Sequence, residues 1–296
     1  MRLLRSKSQP AVKERAAAPP QPSITIPLYY PDVVRRVHTS RLYGVIQAML
    51  AENDEAYAQR LRELSQYTEK LFRISLTPAD DPREPYFEDN GYFSHLDAVA
   101  LYCLVAHIRP RQIIEIGSGH STKFMRRAVK DWRLTTKIVS IDPYPRAEVD
   151  MICDQVIRGN VLDVAPEFFG SLGENDFLFV DGSHLVFTGT DLPWVFFEIL
   201  PRLAPGVIIH FHDIFLPEDY PARPDWQDRY YNEEYCLAAF LYGNPDYTVL
   251  LPNHYLEAFR PRLIVDNLDL SKAPTTDKVN FRGGASFWIQ KRPHAL

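Results

Sequence analysis

QIIEIGSGHSTKFM, residues 112–125, is the stretch from which the rest of the chain is read. Residues 112–116 have the composition of a strand, the run breaks at Gly117 and Gly119, and the chain then passes into a helix expected over 121–132. Glycine at those two positions lets the backbone turn sharply and approach a ligand closely, at the carboxyl edge where open α/β sheets bind small molecules.

Downstream, strand-like segments at 137–141, 155–158, 176–180 and 207–211 alternate with stretches that are helical in outline. The short apolar runs 177–180 and 207–209 suit strands buried on both faces, and their alternation with helices implies a parallel, doubly wound α/β sheet. Two further strands are expected at 247–251 and 286–290, joined by an excursion too long for a tight hairpin. The fold expected is a mainly parallel, seven-stranded, Rossmann-like sheet.

Upstream, residues 1–22 are basic, rich in Ala and Pro and without periodicity, which reads as a flexible tail. Between about residues 45 and 74, apolar residues at Tyr57, Leu61, Leu64, Tyr67 and Leu71 have the three-and-four spacing of an amphipathic helix. Pro78, Pro82 and Pro85 end that pattern, and Ser94 followed by Asp97 resembles a capping signal for a helix to about His107. The division expected is a tail at 1–22, a helical extension at 23–90 and a main domain at 91–296.

Charge narrows the partners. The tail holds five bases against one acid, a charge of +4, which leaves −9 on the remainder of a chain whose net charge is −5. An acidic body argues against nucleic acid, whose binding draws on clustered Lys and Arg. Cys103, Cys153 and Cys236 are few, odd in number and widely spaced, which indicates neither a disulfide framework nor a zinc site and fits a reducing, cytoplasmic setting. The opening residues have bases but no apolar run after them, and no stretch of 18 apolar residues occurs, so neither export nor a membrane span is expected.

The glycine turn has a companion. Asp142, at the end of the next expected strand, is placed to accept hydrogen bonds from two ribose hydroxyls. A diphosphate dinucleotide usually wants a third glycine for close helix packing, and His120 follows Gly119 instead. Two later strands end in polar clusters, Asp181-Gly-Ser-His184 and His210-Phe-His212-Asp213. In a parallel sheet these ends share the edge of the glycine turn. Asp181, His212 and Asp213 are donors that suit a divalent metal, and His184, with an unperturbed pKa of about 6.5, is a candidate proton acceptor. His210, two residues before His212 and deeper in the sheet, reads as a core residue.

Taken together, these residues resemble the class I S-adenosylmethionine-dependent methyltransferases. The resemblance covers about residues 94–290 and implies S-adenosyl-L-methionine as cofactor. It places Glu115 opposite the methionine end, the turn Gly117-Ser118-Gly119 and Asp142 around the cofactor, and Asn160 at the adenine loop, with Asp181 on the cofactor side as well. The sequences around Asp181 and Asp213 look like metal-dependent O-methyltransferases of sugars and macrolides, which implies His184 as base and Asp181 with the 212–213 pair on magnesium. This chain has His212-Asp213 where those enzymes carry two acids, and an imidazole favours manganese, zinc or iron. The acceptor expected is a small molecule or saccharide hydroxyl, with the aromatic loop containing Trp226 and Tyr231 as its wall.

Three other readings differ in what they require. A nonhaem iron oxygenase on this fold, similar to cephalosporin hydroxylases, would use His184, His212 and Asp181 or Asp213 and consume oxygen. A dinucleotide-dependent oxidoreductase would bind NAD in preference to S-adenosylmethionine. A non-catalytic protein would keep the cofactor pocket without turnover.

Overall fold

In the computed structural model, which describes residues 42–88, 92–93, 95–223, 226, 229–274, 281 and 283–292, the apolar runs become seven strands. They are β1 (Gln112–Ile116), β2 (Lys137–Ile141), β3 (Gln155–Ile157), β4 (Phe177–Val180), β5 (Ile208–Phe211), β6 (Tyr247–Pro252) and β7 (Phe287–Lys291). One sheet results, in the order β3-β2-β1-β4-β5-β7-β6. The pairs from β3 through β5 are parallel, and β7 runs antiparallel to both β5 and β6. Every residue of β1, β4 and β5 is buried, as expected of central strands covered on both faces. The fold is the Rossmann-like one expected.

Register positions the functional edge. Ile116 pairs with Ile141 and with Val180, and Val180 pairs with Phe211, so four strands end level with one another. The next residue on each is Gly117, Asp142, Asp181 or His212. Loops far apart in sequence therefore start from one row.

Nine α-helices occur among the described residues, besides shorter 3-10 and π segments: α1 (Gly44–Ala51), α2 (Asp54–Ser65), α3 (Thr68–Leu71), α4 (His95–Ile108), α5 (His120–Asp131), α6 (Asp191–Trp194), α7 (Glu233–Leu241), α8 (Asn253–Phe259) and α9 (Pro261–Asn267). No helix of the described residues is long and apolar enough to cross a membrane. Helix α4 is buried from Leu96 to Ala106 without a polar stripe, as befits a helix enclosed by other elements. It packs against α2, α3 and α5.

The single amphipathic helix expected over 45–74 is three. The Asn53 side chain donates to the Met49 carbonyl and Thr68 Oγ1 donates to the Ser65 carbonyl, local bonds that compete with helix propagation at both breaks. The apolar stripe survives the breaks: Tyr57, Leu61, Leu64 and Leu71 are all buried. The expected tail at 1–22, residues 23–41 of the extension and the Ser94 cap lie outside the described residues, as do Pro224 and Asp225 of the aromatic loop. Asp97 is the described half of that expected signal. Its buried carboxylate accepts bonds from the amides of Ala285 and Ser286, at 2.9 and 2.8 Å, and from the Asn253 side chain at 2.8 Å.

Candidate active site

The turn after β1 is shaped by what it cannot hold. Gly117 has φ +80°, and a Cβ there would lie 1.8 Å from the Asp181 carbonyl oxygen, so only glycine lets the two strand-end loops approach. Ser118 N–H donates to Asp142 Oδ2 and Tyr144 N–H to Asp142 Oδ1, each at 2.7 Å. Gly119 N–H donates to Thr122 Oγ1 at 3.1 Å. The backbone is thereby fixed without any ligand.

Beside this turn opens a cavity of about 390 Å³, lined by Gly117, Ser118, Gly119, Asp142, Asn160 and Asp181 among others. Six of the seven residues expected to hold the cofactor thus share one surface. Asp142 keeps acceptor capacity, because an ionised carboxylate offers about four lone-pair sites and two are used by the amides. Asn160 Oδ1 accepts the Leu162 amide, so its side chain caps the turn after β3. Tyr92, stacked under the Arg146 guanidinium, and His120 complete the wall.

Glu115 is the exception. It is fully buried beneath the turn and is not among the lining residues; its carboxyl accepts bonds from Ser121 Oγ at 2.6 Å and Thr122 Oγ1 at 2.5 Å. Burial pushes this carboxyl up to about 8 against the pull of the Ser121, Thr122 and Ser118 hydroxyls. It braces the start of α5.

The second cluster adjoins the cavity at Asp181. His184 Nε2 lies 3.2 Å from Asp181 Oδ1 and 3.8 Å from Asp213 Oδ2, while His184 Nδ1 lies 2.8 Å from Glu233 Oε2. His212 Nδ1 lies 3.6 Å from Asp181 Oδ1 and 3.7 Å from Asp213 Oδ1, and its Nε2 lies 3.5 Å from Asp97 Oδ2. Both imidazoles are nearly inaccessible to solvent. His184 (φ +60°) and Asp213 (φ +57°) occupy the left-handed region, a strain that side-chain-bearing residues hold only where surrounding contacts enforce it.

Electrostatics follow from this packing. Burial alone would lower both imidazoles, but the carboxylates around them outweigh it and hold His184 and His212 well above the usual histidine range. Burial likewise opposes ionisation of Asp181, and the two imidazoles overcome it, keeping its carboxyl well below the usual range. Glu233 is pushed up to about 6 by burial, moderated by His184.

The expected metal set of Asp181, His212 and Asp213 is brought together but does not fit a metal as it stands. The carboxylate oxygens are directed at the two imidazoles, and among the described residues no group of three or more His, Cys, Asp or Glu side chains is arranged to hold an ion. His210 is a core residue, with its ring 3.7 Å from that of Phe179 and Nε2 bonded to Ser286 Oγ at 2.8 Å.

Of the aromatic loop, Tyr231 stacks on His184 with ring centroids 4.4 Å apart. Trp226 packs with Phe215 and Tyr220 in a small second cluster, which Tyr231 also joins with its ring 5.6 Å from that of Trp226. Glu233 and Asp97 went unnoticed as site residues in the sequence. The only signal was a pair of acids at a helix start, Glu233-Glu234, where acids are ordinary partners of the helix dipole.

A family model described as a methyltransferase domain matches residues 114–214. An uncharacterized protein of Archaeoglobus fulgidus is 33% identical over 129 residues, 42% of this chain, and the match spans 58% of that relative's length. Among solved structures, the O-methyltransferase from Bacillus cereus in complex with SAH is 14% identical, covering 84% of this chain and 99% of that one, with a TM-score of 0.39. The SAH-bound methyltransferase PaMTH1 from Podospora anserina is 17% identical, covering 83% and 96%, with a TM-score of 0.41. The family match runs from within β1 through the loop after β5, and over that stretch this chain is similar to methyltransferase domains.

Proposed function

We propose that the chain is an S-adenosylmethionine-dependent O-methyltransferase acting on a hydroxyl of a small molecule or saccharide, with His184 as general base. One observation carries the reading: Asp181 both lines the cavity beside the glycine turn and lies 3.2 Å from His184 Nε2. The proton acceptor and the cofactor cavity therefore meet at one residue.

The cavity fits the cofactor on its own geometry. Gly117 leaves room that a side chain would fill, the turn presents backbone to the cavity, and Asp142 retains lone pairs for two ribose hydroxyls. Bound S-adenosylmethionine supplies a methyl group on a positively charged sulfur. His184 Nε2 takes the acceptor's hydroxyl proton as the oxygen bonds to the methyl carbon and the carbon–sulfur bond breaks, leaving a neutral thioether. Asp181 and Glu233 stabilise the imidazolium so formed. Asp181 lines the cavity, so a cation held there would draw on the same carboxylate that holds a proton on His184 and would favour the neutral imidazole the reaction needs. No step is routed through a metal.

The test is a calorimetric titration with S-adenosylhomocysteine, with and without chelator. One-to-one binding unaffected by chelator is expected; tighter binding of NAD would overturn the reading. His184→Ala is expected to lower methyl transfer, followed with labelled donor over a panel of hydroxylated acceptors, by about 10² to 10⁴ with cofactor affinity kept. Equal losses in both would indicate structural damage instead.

A further inference from the structure

The start of α7 grips the His184 loop at four points. Asn232 N–H donates to the His184 carbonyl at 3.1 Å, and Val186 N–H donates to Asn232 Oδ1 at 2.6 Å. The Tyr231 ring stacks on the imidazole at an interplanar angle of 29°. His184 Nδ1 meets Glu233 Oε2 at 2.8 Å. The first two contacts fix the main chain, and the third fixes the plane of the ring. Only the fourth distinguishes one ring nitrogen from the other.

An ionisable side chain at position 233 is expensive. Glu233 is 1% exposed, and its Oε1 has no hydrogen-bond partner among the described residues. A buried carboxylate with one idle oxygen is a poor choice for stability alone, where an apolar residue of similar volume serves as well or better. What the carboxylate does that neither an apolar side chain nor an amide can do is accept only. Carboxylates face both ring nitrogens, but Glu233 Oε2 is the nearer, 2.8 Å from Nδ1 against 3.2 Å between Nε2 and Asp181 Oδ1, so the single proton of the neutral ring is drawn to Nδ1 and Nε2 is left to take another.

We propose that Glu233 is a positioning residue that fixes the His184 tautomer, keeping the proton on Nδ1 and presenting Nε2 toward Asp181 and the acceptor hydroxyl. The proposal rests on the reading of His184 as the base and adds the element that orients it. Glu234 extends the device to the neighbouring loop, since its Oε2 accepts the Phe215 amide at 2.9 Å. One helix start thus holds the loops that follow β4 and β5.

Histidine-selective ¹⁵N NMR of the full chain saturated with S-adenosylhomocysteine tests this without needing the acceptor. Spectra are recorded at a pH where the ring is neutral, and the His184 signals are assigned by their loss in His184→Ala. A protonated Nδ1 and an unprotonated Nε2 are expected in the wild type. The reverse pattern there would overturn the proposal whatever the variants do. Glu233→Gln, whose amide can donate as well as accept, is expected to shift the ring toward the other tautomer or a mixture, while Glu233→Asp keeps the wild-type pattern. A Glu233→Gln protein that folds, binds S-adenosylhomocysteine normally and retains the wild-type tautomer would also sink it. Methyl transfer surviving in His184→Ala would refute the base assignment but leave the tautomer result standing, so the two failures are told apart.

Discussion

A carboxyl buried under a glycine turn makes Glu115 a probe of that turn. Its pKa of about 8 in the folded chain exceeds the ordinary value of 4.5, so between those pH values the folded state binds the proton and the unfolded state does not. The stabilisation linked to that proton is complete below the unfolded pKa and is lost as pH rises through the folded one. Its contribution to the slope is up to about 1.4 kcal/mol per pH unit. Glu115→Gln imitates the protonated acid, and urea unfolding from pH 5 to 9 is expected to show the variant gaining on the wild type as pH rises. Parallel curves would place the carboxylate in a solvated setting. Asp142 is exposed to a different loss. Its two oxygens hold the Ser118 and Tyr144 amides, and in the proposed complex they also receive ribose hydroxyls. Asp142→Ala is expected to weaken S-adenosylhomocysteine binding by about 1 to 3 kcal/mol, measured calorimetrically, through lost hydrogen bonds to a charged group. Unchanged affinity would remove Asp142 from the site.

At the scale of elements, the turn after β1 works because two loops share space that one side chain would fill. Gly117→Ala forces a Cβ against the Asp181 carbonyl at a φ that L-residues rarely adopt. The expected result is loss of measurable S-adenosylhomocysteine binding together with about 1 to 3 kcal/mol of stability. An alanine variant that binds normally would show that the two loops separate freely. This constraint was legible in the sequence, and so were the strands: 112–116 and 137–141 were bounded correctly, and the others to within a residue at each end. Short apolar runs between polar breaks signal burial on both faces, which a sequence states locally. The break-up of the expected 45–74 helix was not legible, because Asn53 and Thr68 end helices by side-chain bonds that similar residues often do not make. Nor were Glu233 and Asp97 legible as supports of His184 and His212. Their partners lie 49 and 115 residues away, and nothing in either neighbourhood marks an acid that will be buried. The arrangement of the expected metal donors was not legible either: they were recognised by type, but whether their lone pairs face an ion or the neighbouring imidazoles depends on how the buried groups around them pack.

Across the whole molecule, the helices before β1 are joined to the segment between β6 and β7. Helix α2 packs against α9, with Tyr57, Leu61 and Leu64 contributing to the main core. Tyr255 OH and Arg260 Nε donate to the two Asp54 oxygens, Arg62 donates to Asn267 at 2.8 Å, and Lys272 pairs with Glu69 at 3.0 Å. The polar links and the buried side chains differ greatly in weight. Exposed ion pairs and surface hydrogen bonds of this kind contribute about 0 to 1 kcal/mol each, whereas truncating a fully buried leucine costs about 2 to 5 kcal/mol. The described residues fall within one compact unit, His38–Leu296, in which a defect in α2 propagates to the sheet through shared core. Arg62→Ala is therefore expected to shift stability by less than about 1 kcal/mol, and Leu61→Ala to lower it by about 2 to 5 kcal/mol. In both variants, built in a background that keeps Trp288 on β7 as the single tryptophan, far-UV circular dichroism and tryptophan fluorescence should trace the same urea transition, because the helices and the sheet share one core. If Leu61→Ala produced an early helical transition while the Trp288 environment stayed intact, the extension would be a separable unit and the shared-core account would fall.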